Sequence, residues 1–281
     1  MRCLLILILL FPLTTFAQIT ITGIIANSNR TVLPLTNIVA LRKNVGSITN
    51  EKGEFTLSNL LKEDTIKVSN IAFYSKLIAV KDWVNDDTIF LLNNVKQLQQ
   101  IVIKNFKGFK NEINLGFFDY SNNGEFKLAP GNQIALFISN NTNKEGWIKG
   151  VSFKVKQFGK CKNSMRVRLI QKDTLQFIPS VDILDENIVI NYHDLKKSNY
   201  IDLSSYKLTM PKEGIFVIFE WLNPELNCDM ASYTSISATL SNPTNIVWFN
   251  YRDRVWNKIY RPRLPNGNYM TPNISLRVAY N

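Results

Sequence analysis

The sequence predicts an all-β fold made of two successive β-sandwiches, and three observations predict it. Short runs rich in β-branched and aromatic residues recur along the chain, each bounded by Asn, Asp, Gly or Lys turns. No segment carries a sustained helical period. The length, 281 residues, is more than one small domain needs and suits a leader followed by two domains of ordinary size.

The leader comes first. Arg2 supplies a short positive start, Leu4 to Leu13 are apolar apart from Pro12, and Thr15-Phe16-Ala17 place small residues at −3 and −1 of a cleavage site. Residues 1–17 therefore read as a signal peptide, with the mature chain starting at Gln18. The apolar run is too short to cross a ~30 Å hydrocarbon core as a helix, and no later run is long enough, so no transmembrane segment is expected in the mature chain. Export to the periplasm, the outer membrane or the cell surface is the expectation. Cys161 and Cys228 then remain as an even pair in an oxidising compartment, a disulfide candidate whose pairing the sequence leaves open.

Residues 18–95 form the first predicted sandwich. Ile19, Ile21 and Ile25 mark one strand, followed by Asn37 to Arg42, Glu54 to Leu57, Thr65 to Ser69, Ser75 to Val80 and Thr88 to Leu92. Between Gly46 and Leu57 a hairpin is expected: the Asn50 side chain can bond its own backbone, and Gly53 can adopt positive φ. Phe55 and Leu57 fall on one face and point to the core.

These residues resemble a known family. Gly23, the Pro34-Leu35-Thr36-Asn37 segment, Gly46, Thr49, Asn50, Gly53 and Phe55 match the carboxypeptidase regulatory-like domain, an Ig/transthyretin-like β-sandwich of exported bacterial proteins. Ala72, in Ile71-Ala72-Phe73-Tyr74, stands where that family usually has glycine. The resemblance covers about a quarter of the chain and implies an accessory module without catalytic residues. A metallocarboxypeptidase is excluded by counting, because a catalytic zinc generally needs three protein ligands, typically two of them His in that class, and His193 is the one histidine of the chain.

Residues 96–112 read as a basic linker, with 4 Lys+Arg against 1 Asp+Glu. Residues 113–281 then continue as β. Ile134 to Ser139 is one run, and Gly150 to Gln157 alternates Val151, Phe153 and Val155 with Ser152, Lys154 and Lys156. Met165, Val167 and Leu169 alternate with Arg166 and Arg168. Ile215 to Leu222 is apolar on both faces except for Glu220, as a central strand would be, and Ile274 to Tyr280 closes the chain. A jelly-roll-like sandwich is the natural architecture. Gly146-Trp147-Ile148-Lys149, Met165 to Leu169, Tyr200-Ile201-Asp202-Leu203 and Gly214 to Val217 are similar to the jelly-roll domain that follows the regulatory-like module in such proteins.

Candidate chemistry is sparse. His193 with Asp194 lacks a nucleophile elbow and reads as a loop histidine. Glu220 beside Trp221, in an apolar setting, could serve as a general acid, which makes a glycan-cleaving hydrolase the alternative reading. No phosphate loop, no cofactor motif and no metal-ligand spacing occur. Two basic stretches remain: Lys154, Lys156, Lys160, Lys162, Arg166 and Arg168, and then Arg252 to Arg263 interleaved with Trp248, Phe249, Tyr251, Trp256 and Tyr260. Alternation across Asn250 to Trp256 would put Arg252, Arg254 and Trp256 on one exposed face, a ligand surface with Trp256 stacking and the two arginines as charge partners. The expected function is thus a non-catalytic binding or structural module of the cell envelope, serving an anionic glycan or an envelope protein, and not nucleic acid.

Overall fold

The structure, a computed structural model, describes residues 18–43, 45–94, 111–119, 124–127, 129–158, 164–222, 233–241, 247–259 and 267–280. The predicted signal peptide, most of the predicted linker, Cys161 and Cys228 lie outside the described residues. Within them the chain is all-β, and its only helical pieces are 3-10 turns at Val80–Asp82 and Ser204–Tyr206.

The first sandwich uses β1 (Ile19–Asn27), β2 (Asn37–Ala40), β3 (Gly46–Ile48), β4 (Glu54–Leu60), β5 (Thr65–Ser69), β6 (Lys76–Ala79) and β7 (Asp87–Leu91). A three-stranded sheet, β4-β1-β7, packs on a four-stranded one, β3-β2-β5-β6. Period-two alternation sends Ile21, Ile25, Phe55, Leu57, Ile89 and Leu91 inward to meet Ile38, Ile66 and Val68, and this is the core. β1 pairs antiparallel with β4 and parallel with β7.

The turn at Asn50–Gly53 has the chemistry the sequence predicts. Asn50 Oδ1 accepts from the N–H groups of Lys52 and Glu54 at 2.9 and 3.0 Å, and Gly53 sits at φ 73°. What it joins is different: β3 pairs with β2 and β4 with β1, so the turn carries the chain from one sheet to the other instead of closing a hairpin. Gly53 is needed there. A Cβ would stand 2.7 Å from the Ile25 carbonyl oxygen at a φ that L-residues disfavour. Gly53→Ala is expected to destabilise the protein by more than about 1 kcal/mol, read as a fall in the urea midpoint; an unchanged midpoint would show that the turn tolerates a side chain.

The second sandwich runs through β8 (Asn111–Phe117), β9 (Gly124–Lys127), β10 (Asn132–Ser139), β11 (Gly146–Phe158), β12 (Met165–Lys172), β13 (Pro179–Asp182), β14 (Ile188–Ile190) and β15 (Ser198–Asp202). It continues with β16 (Thr209–Met210), β17 (Gly214–Trp221), β18 (Tyr233–Ser241), β19 (Val247–Tyr251), β20 (Asn257–Lys258), β21 (Tyr269–Pro272) and β22 (Ile274–Tyr280). A seven-stranded sheet follows the order β13-β12-β17-β10-β19-β20, with β14 beside β12. An eight-stranded sheet follows β21-β18-β11-β22-β8, with β15 and β16 on β11 and β9 on β18. The pairings in this jelly-roll-like sandwich are antiparallel. Its core holds Ile134, Leu136, Val151, Phe153, Val167, Phe219, Trp221, Leu276 and Val278.

β17 is the central strand its composition predicts, buried at every position between β12 and β10. Trp221 Nε1 donates to the Thr234 carbonyl, so the buried indole is satisfied. The seven-stranded sheet differs from a two-layer expectation in one respect: its outer face is buried as well. Ala135, Phe137, Ile170, Phe216 and Ile218 form a second apolar cluster there, flanked by Trp248 and Trp256.

Candidate functional site at the junction of the two sandwiches

Strand registers set side chains of one row side by side across the outer face of the seven-stranded sheet. Asn250 pairs with Gln133, Gln133 with Glu220, and Glu220 with Arg166, on β19, β10, β17 and β12 in turn. Two residues along β12, on the same face, stands Arg168. All five of these side chains are buried, and the first sandwich is what buries the row.

Glu220, fully buried, is held on both oxygens. Oε2 accepts from Arg166 Nε and Nη2 at 2.9 and 2.6 Å, and Oε1 accepts from Asn37 Nδ2 of the first sandwich at 3.0 Å. Arg166 Nη1 crosses in the same sense, donating to the Leu35 carbonyl at 2.7 Å and to Asn187 Oδ1 at 2.9 Å. These are charge-assisted bonds, the stronger class.

Beside this pair lies a second cluster, centred on Asp253. Its Oδ1 accepts from Arg168 Nη1 at 2.5 Å and Gln133 Nε2 at 3.1 Å; its Oδ2 accepts from Ser69 Oγ at 3.3 Å and Asn37 Nδ2 at 3.4 Å. Lys67 Nζ reaches the Asp253 carbonyl at 2.5 Å. Arg168 also forks onto Asp182, Nε to Oδ1 at 2.9 Å and Nη2 to Oδ2 at 2.7 Å. Burial alone would raise the Asp253 carboxyl. The charge and hydrogen bond of Arg168, with Arg166 and Lys67 behind it, outweigh burial and hold it well below the usual carboxylate range. Burial would likewise lower the Arg168 guanidinium, and Asp182 and Asp253 raise it instead.

The turn after β19 delivers these groups. The strand ends at Tyr251, Arg252 and Asp253 follow with φ of 46° and 60°, and the Arg254 N–H bonds the Tyr251 carbonyl at 3.0 Å. Two consecutive positive φ values suit Gly, Asn or Asp, so an arginine here is held by its surroundings. Its side chain threads between Gly46 of the first sandwich and Gly131 of the second, where any Cβ would collide with it. Arg252 Nη1 donates to Asn37 Oδ1 at 3.3 Å, and Arg254 donates to the carbonyls of Leu41 and Lys43.

This corrects the predicted ligand surface. Alternation cannot run from Asn250 to Trp256 because the strand stops and turns. Arg252 is buried and Arg254 half-buried, and both reach across to the first sandwich; Trp256 is half-buried against the outer apolar cluster. Arg252, Arg254 and Trp256 thus form no shared exposed face. The first basic stretch is divided between the two sheets. Lys154 and Lys156 lie on β11 in the eight-stranded sheet, whereas Arg166 and Arg168 lie on β12 in the other, and Lys154 is buried with its amine on the Asp119 carbonyl. Lys160 and Lys162 are outside the described residues. His193 is exposed in a turn, its ring 3.7 Å from that of Tyr192.

Glu220 has no route to a substrate. It is fully buried under the first sandwich, and both of its oxygens are engaged by N–H donors of Arg166 and Asn37. Asp253 shares Asn37 with it but is bound by Arg168, Gln133 and Ser69. Among the described residues no three His, Cys, Asp or Glu side chains gather as a metal set, and no helix is long and apolar enough to cross a membrane. A partly open cleft of about 330 Å³ lies beside the Asp253 cluster, between β5 and the turn after it on one side and β13 with Trp256 on the other. No family model matches the chain, and no curated protein matches it.

Proposed function

We propose that this chain is an exported, non-catalytic module of the bacterial cell envelope, in which a carboxypeptidase regulatory-like sandwich and a jelly-roll-like sandwich act as one rigid binding or structural body. One observation carries the reading: of the ionic groups best suited to chemistry, Glu220, Arg166 and Asp253 are spent on bonds to the first sandwich, and Arg168 is spent on holding Asp253. The regulatory-like assignment draws support from Ala72, which stands where that family has glycine and adopts φ 66°, a conformation natural to glycine. Export draws its support from the charged, apolar and small-residue order of residues 1–17.

The test is turnover. Incubation of the protein with soluble cell-wall and capsular polysaccharides is expected to release no new reducing ends. Release that disappears in Glu220→Gln would replace this reading with the glycan-cleaving one.

A further inference from the structure

We propose that the cleft between the two sandwiches binds a neutral saccharide, with Trp256 as its stacking wall. The inference rests on the non-catalytic reading above and names the ligand class that such a module would hold.

Size sets the first limit. About 330 Å³ is at the small end of ligand sites, which run from roughly 300 to 1,000 Å³. That suits one or two sugar rings, and a folded protein segment would not fit.

Charge sets the second limit. The lining includes Lys67, Arg168, Arg254, Asp182 and Asp253. These groups are engaged with one another or with backbone carbonyls: Lys67 on the Asp253 carbonyl, Arg168 on both aspartates, Arg254 on the Leu41 and Lys43 carbonyls. An anionic ligand would meet two carboxylates and would have to break buried ion pairs to claim a cation, at a cost that buried pairs make large. A neutral ligand would leave them intact. The neutral polar groups of the lining are Ser75, Asn250, and the hydroxyl oxygens of Ser69 and Ser180, whose protons are given to Asp253 and Asp173; the Asn70 amide is held by Pro34 and Thr36.

Two further features point to a polyhydroxylated ligand with an apolar face. Asn250 lines the cleft and is 2% exposed, and among the described residues its Oδ1 has no hydrogen-bond partner. That oxygen is sealed as it stands, and an unmade buried acceptor is costly, so a rotation of the amide toward a sugar hydroxyl in the cleft would be favoured. Trp256 is half-buried and packs on the outer apolar cluster of Ile170 and Phe216 while contributing to the cleft wall. The indole is therefore fixed before ligand arrives, and little side-chain entropy is lost when a sugar ring stacks on it.

The experiment is ligand-observed NMR on the full mature chain, titrated with maltose and with N,N′-diacetylchitobiose, and with digalacturonate as the anionic comparator. Saturable binding of at least one neutral disaccharide at millimolar concentration is expected, with digalacturonate weaker. Trp256→Ala should weaken it at least about tenfold, the loss of one stacking contact. Because Trp256 also supports the outer cluster, Ser75→Trp serves as the second variant: Ser75 is exposed, so a tryptophan there should fill the cleft and abolish binding with the fold intact. The site is overturned if neither neutral disaccharide saturates, if both variants bind like wild type, or if digalacturonate binds more tightly. Appearance of monosaccharide signals during the titration would overturn the non-catalytic reading while leaving the site in place.

Discussion

Replacing Arg166 by methionine is expected to cost about 3–5 kcal/mol, the scale for leaving one member of a buried ion pair alone. Glu220 would keep only the Asn37 amide as a hydrogen-bond partner among those described, at zero exposure. Urea denaturation measures the loss. The double variant Arg166→Met/Glu220→Leu is the informative one, since a well-packed apolar pair can replace a buried ionic pair at little cost. Recovery should be incomplete, because the Leu35 carbonyl would lose its Arg166 donor and the Asn37 amide would keep only its longer bond to Asp253, both groups belonging to the first sandwich. That residual deficit measures the bonds crossing between the sandwiches. Full recovery would mean that those bonds contribute nothing, and the rigid-body reading would fail.

Asp253→Asn is expected to cost about 3 kcal/mol at neutral pH. Arg168 would keep Asp182 but lose one of its two anions, and one face of the new amide would turn N–H donors toward Ser69 or Asn37, or toward Gln133 and Arg168. The pH dependence has a defined sign. The folded carboxyl is held below its unfolded value of about 3.9, so its stabilisation is complete above that value and is lost as acid protonates it in the folded state. The gap between wild type and variant should therefore be constant from about pH 7 to pH 5 and narrow only below about pH 4. A gap that closes near neutrality would assign the effect to another group. Faster tryptic cutting between the sandwiches in the variant would confirm that the lost energy resided at the junction.

Much of the fold was legible in the sequence because period-two alternation over β-branched residues has one physical reading. β17 and β22 are where their patterns put them, and the Asn50–Gly53 turn has the geometry its residues dictate. That β3 and β4 enter different sheets was not legible, since turn chemistry fixes a local bend and not the partner of each strand. β18, buried from Thr234 to Thr239, gives no such signal, because its Thr and Ser residues hide the alternation.

The junction was half-legible. A lone carboxylate on an otherwise apolar central strand, with arginines alternating on another, signals a buried pair, because neither charge survives burial alone. Glu220 and Arg166 carry that signal in plain sight. Asp253 carries none: it follows an arginine in a turn whose positive φ values the residue types do not announce. Nor could periodicity show that β11 and β12, neighbours in sequence, go to opposite sheets, which parts Lys154 and Lys156 from Arg166 and Arg168.

The position of β22 bears on how such a chain is made. The last strand is not an edge: it lies between β11 and β8, pairing with each over most of its length. The eight-stranded sheet cannot close until Ile274 to Tyr280 have left the ribosome, although the first sandwich has its own seven strands by Leu91. Synthesis thus yields an early, locally complete unit and a late one dominated by contacts distant in sequence, the slow and aggregation-exposed kind. The junction, which needs residues of both sandwiches, forms only after the second half has been made.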